Sequence, residues 1–100
     1  MAFAITHFWP GGTQDQYDAQ IAAVHPNGGA GLPDGQFFHA AGPVDGGYLI
    51  MAVHDSRESW ETFRDTILAP LTHGVAGGFT GDPKETDIDL HTLWISADHK

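Results

Sequence analysis

Residues Gly46 to Leu71, GGYLIMAVHDSRESWETFRDTILAPL, constrain the fold more than any other stretch, because a strand signal, a helix cap and an amphipathic helix follow one another without a gap. Tyr48 to Val53 is an unbroken apolar run of strand length, rich in Ile, Val and Tyr, and reads as a strand buried on both faces. The period then becomes helical. Asp55 with Glu58 three residues later fits a capping box, and Trp60, Phe63, Ile67 and Leu71 recur as one apolar stripe. A buried strand feeding such a helix is the nucleus of an α/β sandwich.

The flanking segments complete a simple order. Phe3 to Trp9 alternates and reads as the first strand, with Phe3, Ile5, His7 and Trp9 on one face. Pro10-Gly11-Gly12 stops it, and Thr13 with Gln16 forms a second capping-box match. In the helix that follows, Tyr17, Ile21 and Val24 share a face, while Asp15, Asp18 and Gln20 take the solvent side; Pro26-Asn27-Gly28-Gly29 ends it. Gly35 to Ala41 is the next strand, joined by the turn residues 43–47 to the central strand, so the two pair antiparallel. Pro70 kinks or ends the second helix, Thr72 to Asp87 is a Gly-rich polar loop, and Ile88 to Ile95 alternates as the last strand, before a frayed tail over 96–100.

This βαββαβ order predicts an α+β, ferredoxin-like domain over residues 1–100, with an ordered core over 3–95. Right-handed crossovers place both helices on one face of a four-stranded antiparallel sheet. The other face is left uncovered, and a second copy packed against it gives a homodimer, a dimeric α/β barrel.

Composition narrows the function classes. Thirteen acidic against four basic residues give a net charge of −9, which repels phosphate backbones and anionic lipid, so neither nucleic acid nor a membrane surface is expected as partner. The chain has no cysteine, hence no disulfide, thiolate nucleophile or thiolate metal ligand. The start, MAFAITHFW, has no basic n-region and only a short apolar run before His7, and no apolar run reaches spanning length, so a cytoplasmic protein is expected. The loop PNGGAGLPDG lacks the lysine and the Ser/Thr of a phosphate-binding loop and reads as a plain connection.

The segments HFWPGGTQDQYDA, FHAAGPVDGG and HDSRESWETFRDTILAPL resemble the antibiotic-biosynthesis-monooxygenase-like group of small dimeric α/β-barrel proteins. The resemblance covers about residues 3 to 75 and implies the same fold and dimer. Members include cofactor-free oxygenases of aromatic polyketides, haem-degrading enzymes and isomerase-like relatives. The oxygenase and haem-degrading members place an Asn on the first strand and a Trp in the second helix. Here the only Asn is Asn27, in a loop, and Phe63 stands where that Trp is expected, with Trp60 one turn earlier. His73 is spaced like the haem ligand of the haem-degrading members, but the net charge of −9 opposes haem propionates, and no haem is expected.

Seven histidines in so short a chain are its compositional oddity. A histidine titrates near neutrality and can take a proton from a phenol or enol. His7 and His39 lie inside strands among aromatics, and are the candidate bases. Trp9, Tyr48, Trp60, Phe63 and His91 are the candidate pocket walls. A metal site from His7, His39 and His91 lacks any helical pair of ligands and is not expected; nor is any cofactor. The resulting expectation is an enzyme or binder of a small aromatic or polyketide-like molecule, working as a cofactor-independent monooxygenase or isomerase. The alternative is a non-catalytic dimeric ligand-binding or stress-associated protein.

Overall fold

The computed structural model describes residues 2–25, 27–71 and 75–96. Four strands form one antiparallel sheet in the order β2-β3-β1-β4, with β1 Phe3–Pro10, β2 Gln36–Val44, β3 Gly47–His54 and β4 Lys84–Asp89. Helix α1, Gln14–Val24, follows β1; helix α2, Arg57–Phe63, follows β3. Both helices pack on the same face. Phe3 and Ile5 of β1 meet Val24 of α1 and Trp60 and Phe63 of α2 in one apolar cluster, and Trp9, Tyr48 and Phe79 form a second beside Tyr17. This is the ferredoxin-like α+β arrangement read from the sequence.

Local chemistry explains the elements. Thr13 caps α1 reciprocally: its hydroxyl accepts from the Gln16 backbone N–H at 3.2 Å, and the Gln16 side chain accepts from the Thr13 backbone N–H at 3.0 Å. Asp45-Gly46 closes the β2–β3 hairpin, with Gly46 at a φ of 84° that a β-carbon disfavours.

Five expectations are corrected. The cap of α2 is Ser56, whose hydroxyl accepts from the Ser59 backbone N–H at 3.1 Å, and not Asp55. Strand β3 is buried on one face only: Tyr48, Ala52 and His54 face the helices, while Met51 is 42% exposed on the other side. Gln20 is buried rather than on the solvent side of α1.

The stripe of α2 breaks after Phe63, because Arg64–Leu68 winds as a π segment in which Ala69 N–H bonds Arg64 C=O, five residues back. One extra residue in that turn brings Leu68 against the core and turns Ile67 outward. A last turn, Ala69–Leu71, follows.

The final strand lies at Lys84–Asp89, not Ile88–Ile95. Its partner sets the limit: β4 pairs with β1, whose first residue, Phe3, faces Asp89, and the last bond runs from Leu90 N–H to Ala2 C=O. Beyond it Leu93, Trp94 and Ile95 are exposed. As an edge strand β4 is highly charged, which discourages unwanted pairing.

Candidate functional site

Between the sheet and the two helices lies a cavity of about 180 Å³. His7 reaches it from β1 and His39 from β2, with Trp9, Trp60 and Phe63 also in its wall. Five of the residues singled out from the sequence are thus brought together. Tyr48 is not among the lining residues; it is buried nearby, stacked on Tyr17 with centroids 5.1 Å apart. His91 is exposed past the end of β4, and His73 lies outside the described residues. Among the described residues no group of three His, Asp or Glu side chains is placed to hold a metal ion.

The two histidines have different surroundings. In the β1–β4 register His7 stands directly opposite Glu85, and its Nε2 is 2.9 Å from the Glu85 carboxylate. A carboxylate accepts only, so Nε2 carries the proton in neutral His7 and Nδ1 keeps its lone pair. The Trp60 ring lies 5.6 Å from the imidazole, centroid to centroid.

His39 is held at both nitrogens. Its Nδ1–H donates to Gln36 Oε1 at 3.1 Å, and its Nε2 accepts from the Tyr17 hydroxyl at 2.6 Å. The Gln36 amide N–H donates onward to His54 Nε2 at 3.1 Å, and His54 Nδ1–H to Ser59 Oγ at 2.9 Å. One directional chain, Tyr17–His39–Gln36–His54–Ser59, therefore links α1, β2, β3 and α2. A β-bulge makes it possible: the register shift between Gln36 and Phe38 lets Gln36 and His39, three residues apart, both face inward.

Burial, with His25 close by, pushes His39 down to about 4. The His25 ring meets that of His39 edge-on at 4.8 Å and is itself lowered by burial, as is His54. All three are neutral at pH 7. Burial also raises the Tyr17 hydroxyl above its ordinary value, so it stays protonated and donates.

Sequence reasoning left out five polar residues of the wall: Gln20, His25, Gln36, Arg64 and Glu85. Glu85 reads as part of a solvated acidic segment until β4 is set in register with β1. Arg64 lines the cavity while bonding its neighbour Asp65 at 2.9 Å. Gln20 Nε2 and Trp60 Nε1 are buried without a hydrogen-bond partner among the described residues.

No protein-family model matches the sequence, and no curated protein does either. Solved structures do. A variant of SnoaB, a cofactor-independent oxygenase from Streptomyces nogalater, superposes with a TM-score of 0.61 at 12% identity, covering 92% of this chain and 94% of that one. Rv0793 from Mycobacterium tuberculosis gives a TM-score of 0.57 at 19% identity over 96% of this chain and 97% of that one. The chain therefore has the fold of the antibiotic-biosynthesis-monooxygenase-like group, as its sequence resemblance implied.

Proposed function

We propose that the protein binds a small aromatic or polyketide-like molecule in the sheet–helix cavity and removes a proton from its phenol or enol, with His7 as general base. The His7–Glu85 pair on an aromatic cavity carries this reading. Glu85 holds the imidazole in the Nε2–H form and stabilises the imidazolium that forms, in the manner of a carboxylate–histidine pair in acyl-transfer enzymes. His39 is the weaker candidate base, since Tyr17 occupies its one lone pair. Trp9, Trp60 and Phe63 supply flat apolar walls.

Loss of the proton leaves a resonance-stabilised enolate or phenolate. Placing the proton on carbon isomerises the molecule; reaction of that carbon with dioxygen as co-substrate and oxidant, through a hydroperoxide that loses water, leaves one oxygen atom as a carbonyl and releases the other as water. The likeness to SnoaB supports this class of chemistry through fold alone. A thermal-shift screen of phenols and quinones tests binding, since a ligand at about 100 times its Kd stabilises by roughly 2.7 kcal/mol. His7→Gln should keep the binding and abolish turnover; a variant that turns over like the parent refutes the assignment.

The second part of the proposal is a cytoplasmic homodimer formed through the outer sheet face. Phe38, Val44, Met51 and Ile88 are each more than 40% exposed there, an apolar surface unusual for a monomer. No described helix is long and apolar enough to cross a membrane. Light scattering after size exclusion should give twice the mass of one chain, and a monomer at micromolar concentration contradicts it.

A further inference from the structure

Two residues lining the cavity, one on each helix, carry a buried side-chain N–H donor with no acceptor among the described residues. Gln20 of α1 is 3% exposed and Trp60 of α2 is 2% exposed, and both side chains line the cavity wall. The amide orientation of Gln20 is fixed from outside: its Oε1 accepts from the Phe79 backbone N–H at 3.4 Å, which leaves the NH2 end free. The Trp60 indole has one polar atom, a donor, and it too has no partner among the described residues. Most buried polar side-chain atoms have a partner, so two orphans on residues that line the same cavity call for an explanation, and a bound acceptor is one.

We propose that Gln20 Nε2 and Trp60 Nε1 bind acceptor oxygens of a compact one- or two-ring phenol or quinone-type ligand. This rests on the aromatic-ligand reading above and adds recognition and size to it. Both groups donate and neither accepts, so they select lone pairs, as on a carbonyl or phenolate oxygen. Charge that grows on that oxygen as His7 removes a proton is what fixed N–H donors in a water-poor site stabilise most. The volume limits the skeleton: an engineered cavity of about 150 Å³ takes benzene, so about 180 Å³ accommodates one ring with its substituents. A second ring fits only by extending toward the partly exposed Glu85 and Arg64 side chains. Three or four fused rings would project beyond the cavity into solvent.

The test uses 2-naphthol and its oxygen-free counterpart naphthalene with the whole chain. On the wild type, 2-naphthol should bind about tenfold or more tightly than naphthalene, and should move the Trp60 indole N–H resonance downfield while naphthalene leaves it in place. Gln20→Met and Trp60→Phe should each weaken naphthol binding by about tenfold, with naphthalene unchanged. The wild-type resonance keeps the test decisive where a substitution at either buried site unfolds the chain. Equal affinity for the two compounds, an unmoved indole resonance or no naphthol binding overturns the proposal. His7→Gln separates it from the catalytic reading: that substitution removes the base and neither donor, so naphthol should still shift the Trp60 resonance even where proton abstraction is lost.

Discussion

Acid should unfold this domain through its buried histidines before its carboxylates are fully protonated. His25, His39 and His54 all titrate below the ordinary 6.5, in each case chiefly through burial. The polar groups facing them are Tyr17 from α1, the Gly31 carbonyl at His25 Nδ1, Gln36 from β2, Ser59 from α2 and the Asp55 carboxylate beside His54; the Gly31 carbonyl works to raise His25 and Asp55 to raise His54, and burial outweighs both. A group whose folded pKa is depressed contributes its full stability above the unfolded value and loses it as pH falls toward the folded one. For His39 the window runs from 6.5 down to about 4, a displacement worth on the order of 3 kcal/mol at most. His25 and His54 act in the same direction. Asp87, raised by partial burial and by Glu85, runs the other way but sits on an exposed strand.

A small domain has about 5 to 15 kcal/mol in total, so His39 alone accounts for a large part of it. Urea melts followed by tryptophan fluorescence at pH 7, 6 and 5 should show stability falling steadily. His39→Gln, which stays neutral and can still hydrogen-bond, should flatten that dependence by up to about 1.4 kcal/mol per pH unit. Carboxylates contribute alike to both proteins, so the difference between them isolates His39. An identical pH slope in parent and variant would refute the argument.

Other substitutions probe the frame around the site. Gly35 has a φ of 82° and a β-carbon there would run into Ser59 Oγ, so Gly35→Ala should lose about 1 to 3 kcal/mol in urea melts and loosen the His54–Ser59 bond. Trp9 stacks on Phe79 at 4.5 Å and 9°; Trp9→Ala should cost about 3 to 5 kcal/mol and disorder the segment before β4, measured by amide exchange. Thr13→Ala removes the α1 capping box and should destabilise by about 0.5 to 2 kcal/mol. Arg57 pairs with Asp89 at 2.7 Å and lies 4.5 Å over the Phe3 ring, yet it is exposed, so Arg57→Ala should shift thermal stability by no more than about 1 kcal/mol, and less at high salt.

What the sequence reveals, and what it hides, follows from the range of the interactions. The Thr13–Gln16 cap and the Asp45-Gly46 hairpin are local and legible, and so is the alternation that sends His7 inward beside Phe3, Ile5 and Trp9. The shifted features depend on partners far along the chain. Strand β4 lies where β1 offers hydrogen bonds, although the stronger apolar alternation belongs to the exposed segment after it. Setting β4 in that register is also what places Glu85 opposite His7, so one misplaced strand conceals the residue that orients the candidate base. His39 and Gln36 have spacing that puts them on opposite faces of a regular strand, and only the bulge at Phe37 brings them together. The π turn after Phe63 similarly exchanges Ile67 for Leu68 in the core. No periodicity argument carries such single-residue insertions.

The central claim is that His7, oriented by Glu85, takes a proton from an enolisable ring compound in the cavity. Hydrogen–deuterium exchange at the acidic carbon of 2-tetralone, followed by NMR in D2O, reads that step without assuming oxygen use or any later chemistry. The protein should accelerate exchange over buffer, and His7→Gln should lower the protein-catalysed rate by about 10²-fold or more, with a smaller loss for Glu85→Gln. Exchange that proceeds at the parental rate in His7→Gln, or no acceleration by the wild type, would contradict the account.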